Sequence, residues 1–289
     1  MSQSRHSRLD DVLIEPLEDR DAGRAALICG EVTRNALQDF APAVVLLPAS
    51  ERRRLQAVSA FSLTLFDFAR QSSLEGEKLA QMNRWQFDLE STLDGDPPGQ
   101  PVFVLLAAAG DEVPWPAAAL DALVGCARRR ALHQRPRSLP EAEADALRLA
   151  TALSDTLAPG SDPGVVPLAA ALLRVGRLLA LGEDGRRHQA GLAVDQLPES
   201  WSTEGPLSRE DLAGAIRAEC ALLLDVLAQT QSLRSLPRSW RRAATYAVLA
   251  ARRLLDRING LGADSVESPP RLGAVERLRL VLRSRLLPL

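Results

Sequence analysis

The stretch Ala60–Gln71, AFSLTLFDFARQ, sets apolar residues at helical spacing yet wedges one carboxylate, Asp67, between Phe66 and Phe68, with Arg70 three residues on. A lone acid on an apolar helix needs a reason, because an ionised carboxylate leaves water only for a cation or a hydrogen-bonded partner. Other groups that could do chemistry are basic. ERRR at 51–54 supplies Arg52, Arg53 and Arg54, and ARRRALHQRPR at 127–137 supplies a second cluster. Guanidinium forks of this kind can clamp a diphosphate or an acidic partner. They read first as solvated helix ends, since cations suit helix C-termini. ALGED at 180–184 ends on Glu183 and Asp184, and Arg186 follows in EDGRRHQAG, which reads first as a surface loop. No Ser-His-Asp grouping, P-loop, dinucleotide glycine pattern or zinc spacing occurs, and the sole lysine, Lys78, cannot complete a Walker-type motif.

The elements that must position these residues are helical. The chain has 289 residues, 46% hydrophobic and 25% charged, which is enough for a sizeable core. Aromatics are only 4%, so Leu, Ala and Val must build most of that core. Lys and Arg total 35 against 37 acids, and the net charge of -2 gives no general pull toward nucleic acid or an anionic membrane. Cys29, Cys126 and Cys220 form no disulfide framework, and His6, His133 and His188 form no metal-ligand pair. MSQSRHSRLDD lacks the apolar stretch of a signal peptide, so a reducing cytoplasm is the expected location.

Leu55, Val58, Ser62, Leu65 and Ala69 fall on one helical stripe, widened by Phe61 and Phe66; Leu79, Met82, Trp85 and Leu89 continue the pattern. DPPGQP at 96–101 is a turn whose Pro101 can open the next helix. A helix follows VPWP, and another begins at LPEAEADAL, whose Pro140 and early acids suit an N-terminus. After the loop at 158–164 come helices at about 165–181, 207–231, 238–259 and 270–286, with 182–206 a polar segment and Gly260 a candidate C-cap. AVVLLP is the one serious strand candidate, and its helical surroundings outweigh it. All of this implies an all-α chain. Residues 1–35 read as an N-terminal extension, partly helical or mobile, and 36–289 as a single helical domain. The four tryptophans read as core, and the last basic amphipathic helix as docked on the bundle or lying on a membrane.

The order of landmarks resembles the squalene/phytoene synthase family. The resemblance rests on LLPASERRRLQAVSAFSLTLFDFAR, RWQFDL and GQPVFVLLAAA, and more loosely on GRR…LPESW and RRAATYAVLAARRLLDRINGLGADSV, covering roughly 36–285. It implies a helical bundle of the isoprenoid synthase type around a central cavity. It also implies head-to-head condensation of two prenyl diphosphates with magnesium. Ionising an allylic diphosphate calls for Mg²⁺ on the leaving group, held by carboxylates at i and i+4 on facing helices.

Carried over residue by residue, the first aspartate pair falls on Phe66 and Arg70, with a further family aspartate at Asp67. The second pair falls on Ala180 and Asp184, beside Glu183. The family's tyrosine and arginine before the first motif read as Ser59 and Leu63; the arginine and asparagine of the second motif's helix read as Leu179 and Gly176. Asp67 thus looks like the remnant of a metal motif.

Three functions remain open from the sequence. The first is a binding or assembly protein without prenyl transfer, as in the complex I assembly factor that shares the implied fold. The second is a divergent prenyl-diphosphate transferase that keeps Mg²⁺ or clamps diphosphate through Arg70 with Arg52, Arg53, Arg54 or Arg186. The third is an isoprenoid lipid-binding module at a membrane surface. No cofactor is expected except magnesium under the second. The expected partners are an isoprenoid diphosphate or lipid, or a protein, with no nucleic acid and a possible peripheral membrane contact.

Overall fold

Capping chemistry starts the first long helix. The Asp21 carboxylate accepts from the Arg24 N–H at 2.8 Å, satisfying one of the donors that an N-terminus leaves orphaned, and α1 runs Ala22–Leu37. The computed structural model describes residues 12–70, 74–132, 138–160, 162–182, 209–286 and 289. After a 3₁₀ turn at Gln38–Phe40, short α2 (Ala41–Val45) takes the first half of AVVLLP, and no strand occurs among the described residues. Then come α3 (Ala49–Arg70), α4 (Glu75–Leu93), α5 (Pro101–Glu112) and α6 (Ala117–Leu132). Next are α7 (Leu139–Leu157), α8 (Val165–Leu179) and α9 (Arg209–Ala228). A 3₁₀ turn at Gln231–Ser235 leads to α10 (Arg238–Leu261), α11 (Asp264–Glu267) and α12 (Ala274–Leu286).

Pro101 does open a helix, because its missing N–H is one that the first turn would leave unpaired. Gly260 is not the cap of α10. The helix continues past it to Leu261, and Gly262 takes the left-handed conformation (φ 55°), its N–H reaching the Ile258 carbonyl at 2.8 Å. The last helix begins at Ala274 rather than near 270, and residues 269–273, which include Pro269 and Pro270, are irregular.

The described chain forms two compact units. The first takes the described residues of Met1–Leu132 with Asp155–Pro159, and the second those of His133–Ser154 with Gly160–Leu289. In the first, α3 lies against α1, α4, α5 and α6. The expected stripe is buried at Val58, Phe61, Ser62, Leu65 and Ala69, but Phe66 turns away from it and is only half-buried. Phe61, Phe68, Trp85 and Phe103 gather into one aromatic cluster, with Trp85 centred 4.5 Å from Phe103 and 5.6 Å, edge-on, from Phe68. Four of the chain's eleven aromatic residues thus meet in one place. In the second unit α10 is the central helix, touching α8, α9 and α12, while α7 meets α8 through Ala146, Ala150 and Ala170. Of the remaining tryptophans, Trp115 and Trp240 are half-buried, and Trp201 lies outside the described residues.

Burial sorts the three cysteines. Cys29 and Cys220 are enclosed, and loss of water pushes both thiols up to about 12, a backbone hydrogen bond slightly opposing it for Cys29 and nearby Glu219 and Asp256 adding to it for Cys220. Cys126 is half-buried. Thiol titration of the native protein at pH 8 is expected to count one fast-reacting cysteine, rising to three in denaturant. Three fast thiols without denaturant would contradict the packing.

Candidate functional site

Helical spacing places Ser59, Leu63, Phe66 and Arg70 along one face of α3. All four are half-buried or exposed, in contrast to the fully enclosed stripe on the opposite side. The sequence offers a hydroxyl, an aliphatic group, a ring and a guanidinium there, with Asp67 alongside. Asp67 is half-buried and makes no hydrogen bond or ion pair among the described residues. Phe68, next along, faces inward against Trp85.

A cation not singled out by the sequence completes this end of α3. Lys78 on α4 is buried, and its Nζ donates to the Ala69 carbonyl at 3.5 Å. The last carbonyls of a helix carry partial negative charge, so an ammonium suits them. Lys78 was visible in principle: it stands four residues before Met82, at the head of the buried Met82–Trp85–Leu89 stripe. Two cations and one carboxylate therefore stand at the end of α3. That donor set does not fit a hard divalent ion, which asks for several anionic or carbonyl oxygens, and Phe66 offers none. Among the described residues no three His, Cys, Asp or Glu side chains gather at one point.

The arginines at the start of α3 have separate fates. Arg53 pairs with Glu112 at the surface. Arg52 is half-buried, and its side chain makes no hydrogen bond or ion pair among the described residues. Arg54 is buried, and its fork donates to the carbonyls of Val113, Ala109 (3.4 Å) and Thr156 (3.4 Å). Its Cζ lies 3.8 Å from the centre of the Trp115 ring, a cation–π contact. Trp115 is itself fixed by its indole N–H, which donates to the Leu106 carbonyl at 2.8 Å. Gly110 allows that approach, because a Cβ there would sit 2.9 Å from the indole. Desolvation lowers the Arg54 pKa, an effect that Glu112 partly opposes. Arg54 thus closes the C-terminal end of α5 and is not directed at solvent, so a diphosphate would have to displace three carbonyls to reach it.

At the second motif position, Gly176, Leu179 and Ala180 follow each other along the end of α8, and Ala180 is its C-cap. Gly182 is pressed against the Val266 carbonyl so closely that a Cβ would collide with it. Glu183, Asp184 and Arg186 lie outside the described residues. One buried ionic group nearby was missed by the sequence reading. Arg174 of α8 holds Glu219 of α9 in a two-pronged contact, Nε to Oε1 at 2.8 Å and Nη2 to Oε2 at 2.6 Å, with both side chains enclosed. The signal for it was an arginine on the apolar face of LAAALLRVGRLLAL, which must find an anion.

With this geometry in place, comparison decides the family. The family model for squalene/phytoene synthase matches residues 33–283. The chain belongs to the squalene/phytoene synthase family. Its fold is the all-α isoprenoid synthase fold. A crystal structure of a dehydrosqualene synthase in complex with ligand superposes with a TM-score of 0.75, at 15% identity, over 91% of this chain and 96% of that one. YisP from Bacillus subtilis subsp. subtilis strain 168 gives 0.66 at 15% identity over 90% and 96%. Squalene synthase HpnC from Alicyclobacillus acidocaldarius gives 0.65 at 15% identity over 83% and 95%. At that identity the likeness carries the fold alone. No curated protein matches the chain in sequence.

Proposed function

We propose that this member of the squalene/phytoene synthase family does not perform head-to-head prenyl transfer and works instead as a binding or assembly protein. The observation that carries the reading is the face of α3 on which Ser59, Leu63, Phe66 and Arg70 stand in register. The four positions that the family's polar motif would occupy share one face, yet none presents a carboxylate. Loss of a single supporting residue at a metal site costs about 10–100-fold in affinity. Replacing two ligands, one of them by a cation, removes magnesium binding at working concentrations. The partner is an isoprenoid diphosphate or lipid, or a protein that uses the helical scaffold.

Purified protein incubated with farnesyl or geranylgeranyl diphosphate and Mg²⁺ is expected to form no C30 or C40 hydrocarbon. Titration calorimetry with a non-hydrolysable diphosphate analogue is expected to show no heat that depends on Mg²⁺. Turnover abolished by Asp184→Ala would establish the divergent transferase in its place. Heat from the analogue without Mg²⁺, lost in Arg70→Ala, would point to a guanidinium clamp that retains binding.

A further inference from the structure

Helix α12 has two apolar sides. Leu280 and Ser284 are buried, and the helix packs on α10 through that side. Arg257 of α10 fixes its start, donating to Glu276 Oε2 at 2.7 Å and to the Arg271 carbonyl. On the opposite side Val275, Leu278, Leu282 and Leu286 are 64%, 59%, 50% and 76% exposed. At 3.6 residues per turn these four fall within an arc of about 80° pointing away from the protein. Arg285 borders the arc on one flank, and Arg279 and Arg283 on the other; all three are exposed. From Arg271 to Leu286 there are five arginines and one acid, Glu276, and that acid is held by Arg257.

We propose that α12 is an interfacial helix, by which the protein docks on an anionic phospholipid surface with the leucines in the acyl boundary and the arginines on the headgroups. An exposed aliphatic stripe is costly in water and gains free energy only when something covers it. The cover has a stated charge, because cations line both edges. Arginine stems are long enough to lie along the apolar boundary and keep their heads among phosphates. The size also fits. Thirteen residues make a helix about 20 Å long, ample for a helix lying in the headgroup plane. The chain as a whole carries a net charge of -2, so an anionic surface attracts this face and repels the remainder, which sets the orientation. Among the described residues no helix is long and apolar enough to cross a membrane, in keeping with docking in the plane.

The test is co-sedimentation of the full chain with vesicles of phosphatidylcholine containing phosphatidylglycerol, and with vesicles of phosphatidylcholine alone. Partitioning is expected to be about 10–100-fold stronger on the anionic vesicles and to weaken as salt rises. Leu278→Gln with Leu282→Gln, on an unchanged circular dichroism spectrum, should reduce it at least about tenfold. In Leu282→Trp, the emission of the added indole should shift to the blue on vesicle addition, relative to the unaltered protein. No sedimentation with anionic vesicles would overturn the proposal. So would unaltered binding by the double leucine variant, or a dimer in solution that the same variant dissolves.

Discussion

Glu219→Ala is expected to lower the free energy of unfolding by about 3–5 kcal/mol, read as a large drop in the urea midpoint with the slope preserved. The contact it breaks is the two-pronged pair with Arg174, enclosed between α8 and α9. Removing the carboxylate leaves a guanidinium in low dielectric without an anion, and that desolvated charge accounts for most of the loss. Two controls separate this from simple packing. Arg174→Met with Glu219→Leu removes both charges and should restore most of the stability, because an apolar pair of similar volume carries no desolvation penalty. Raised salt should leave the Glu219→Ala deficit nearly unchanged, since counter-ions do not reach the site. Glu219→Gln should also bring the Cys220 thiol down from about 12, though burial, the larger cause, stays. A deficit under 1 kcal/mol for Glu219→Ala would mean that the pair is hydrated.

Arg54→Met carries the second largest expected effect, a loss of about 2–3 kcal/mol in chemical denaturation, in line with hydrogen bonds from a charged donor. It takes the guanidinium away from the carbonyls of Ala109, Val113 and Thr156 and from the Trp115 ring. Arg52→Met, two residues before it on the same helix, is expected to change stability by less than about 0.5 kcal/mol, because the Arg52 side chain has no bonded partner among the described residues. The contrast distinguishes a structural arginine from a ligand-binding one. Were Arg54 a diphosphate ligand, its loss would weaken binding of the diphosphate analogue and spare the denaturation midpoint.

These two arginines show how far a linear reading reaches. Arg54 and Arg174 stand on helices whose periodicity was plain; Arg54 was read as a candidate diphosphate contact, and Arg174 was not singled out. What they clamp was not legible, since Arg174 meets an acid 45 residues away and Arg54 a carbonyl 102 residues away. Phe66 illustrates a finer limit. Counting it into the apolar stripe widened that stripe by one position, whereas Phe61 and Phe68 meet Trp85 and Phe66 faces the other way. The Gly260 reading failed for a related reason. Two glycines two residues apart, Gly260 and Gly262, can each end a helix, and only packing selects the one that takes positive φ.

The sequence by itself determined the all-α class, the order and approximate extent of the helices, the family, and the residue types at the end of α3. Each depends on local backbone geometry, on proline and glycine, or on the order of short motifs. The tertiary structure alone decided that Arg54 and Arg174 serve the scaffold, that Lys78 joins the end of α3, and that Leu278, Leu282 and Leu286 of α12 face outward. Those outcomes depend on which helix faces meet, and a helix with apolar residues on two sides does not specify which side its neighbour will cover.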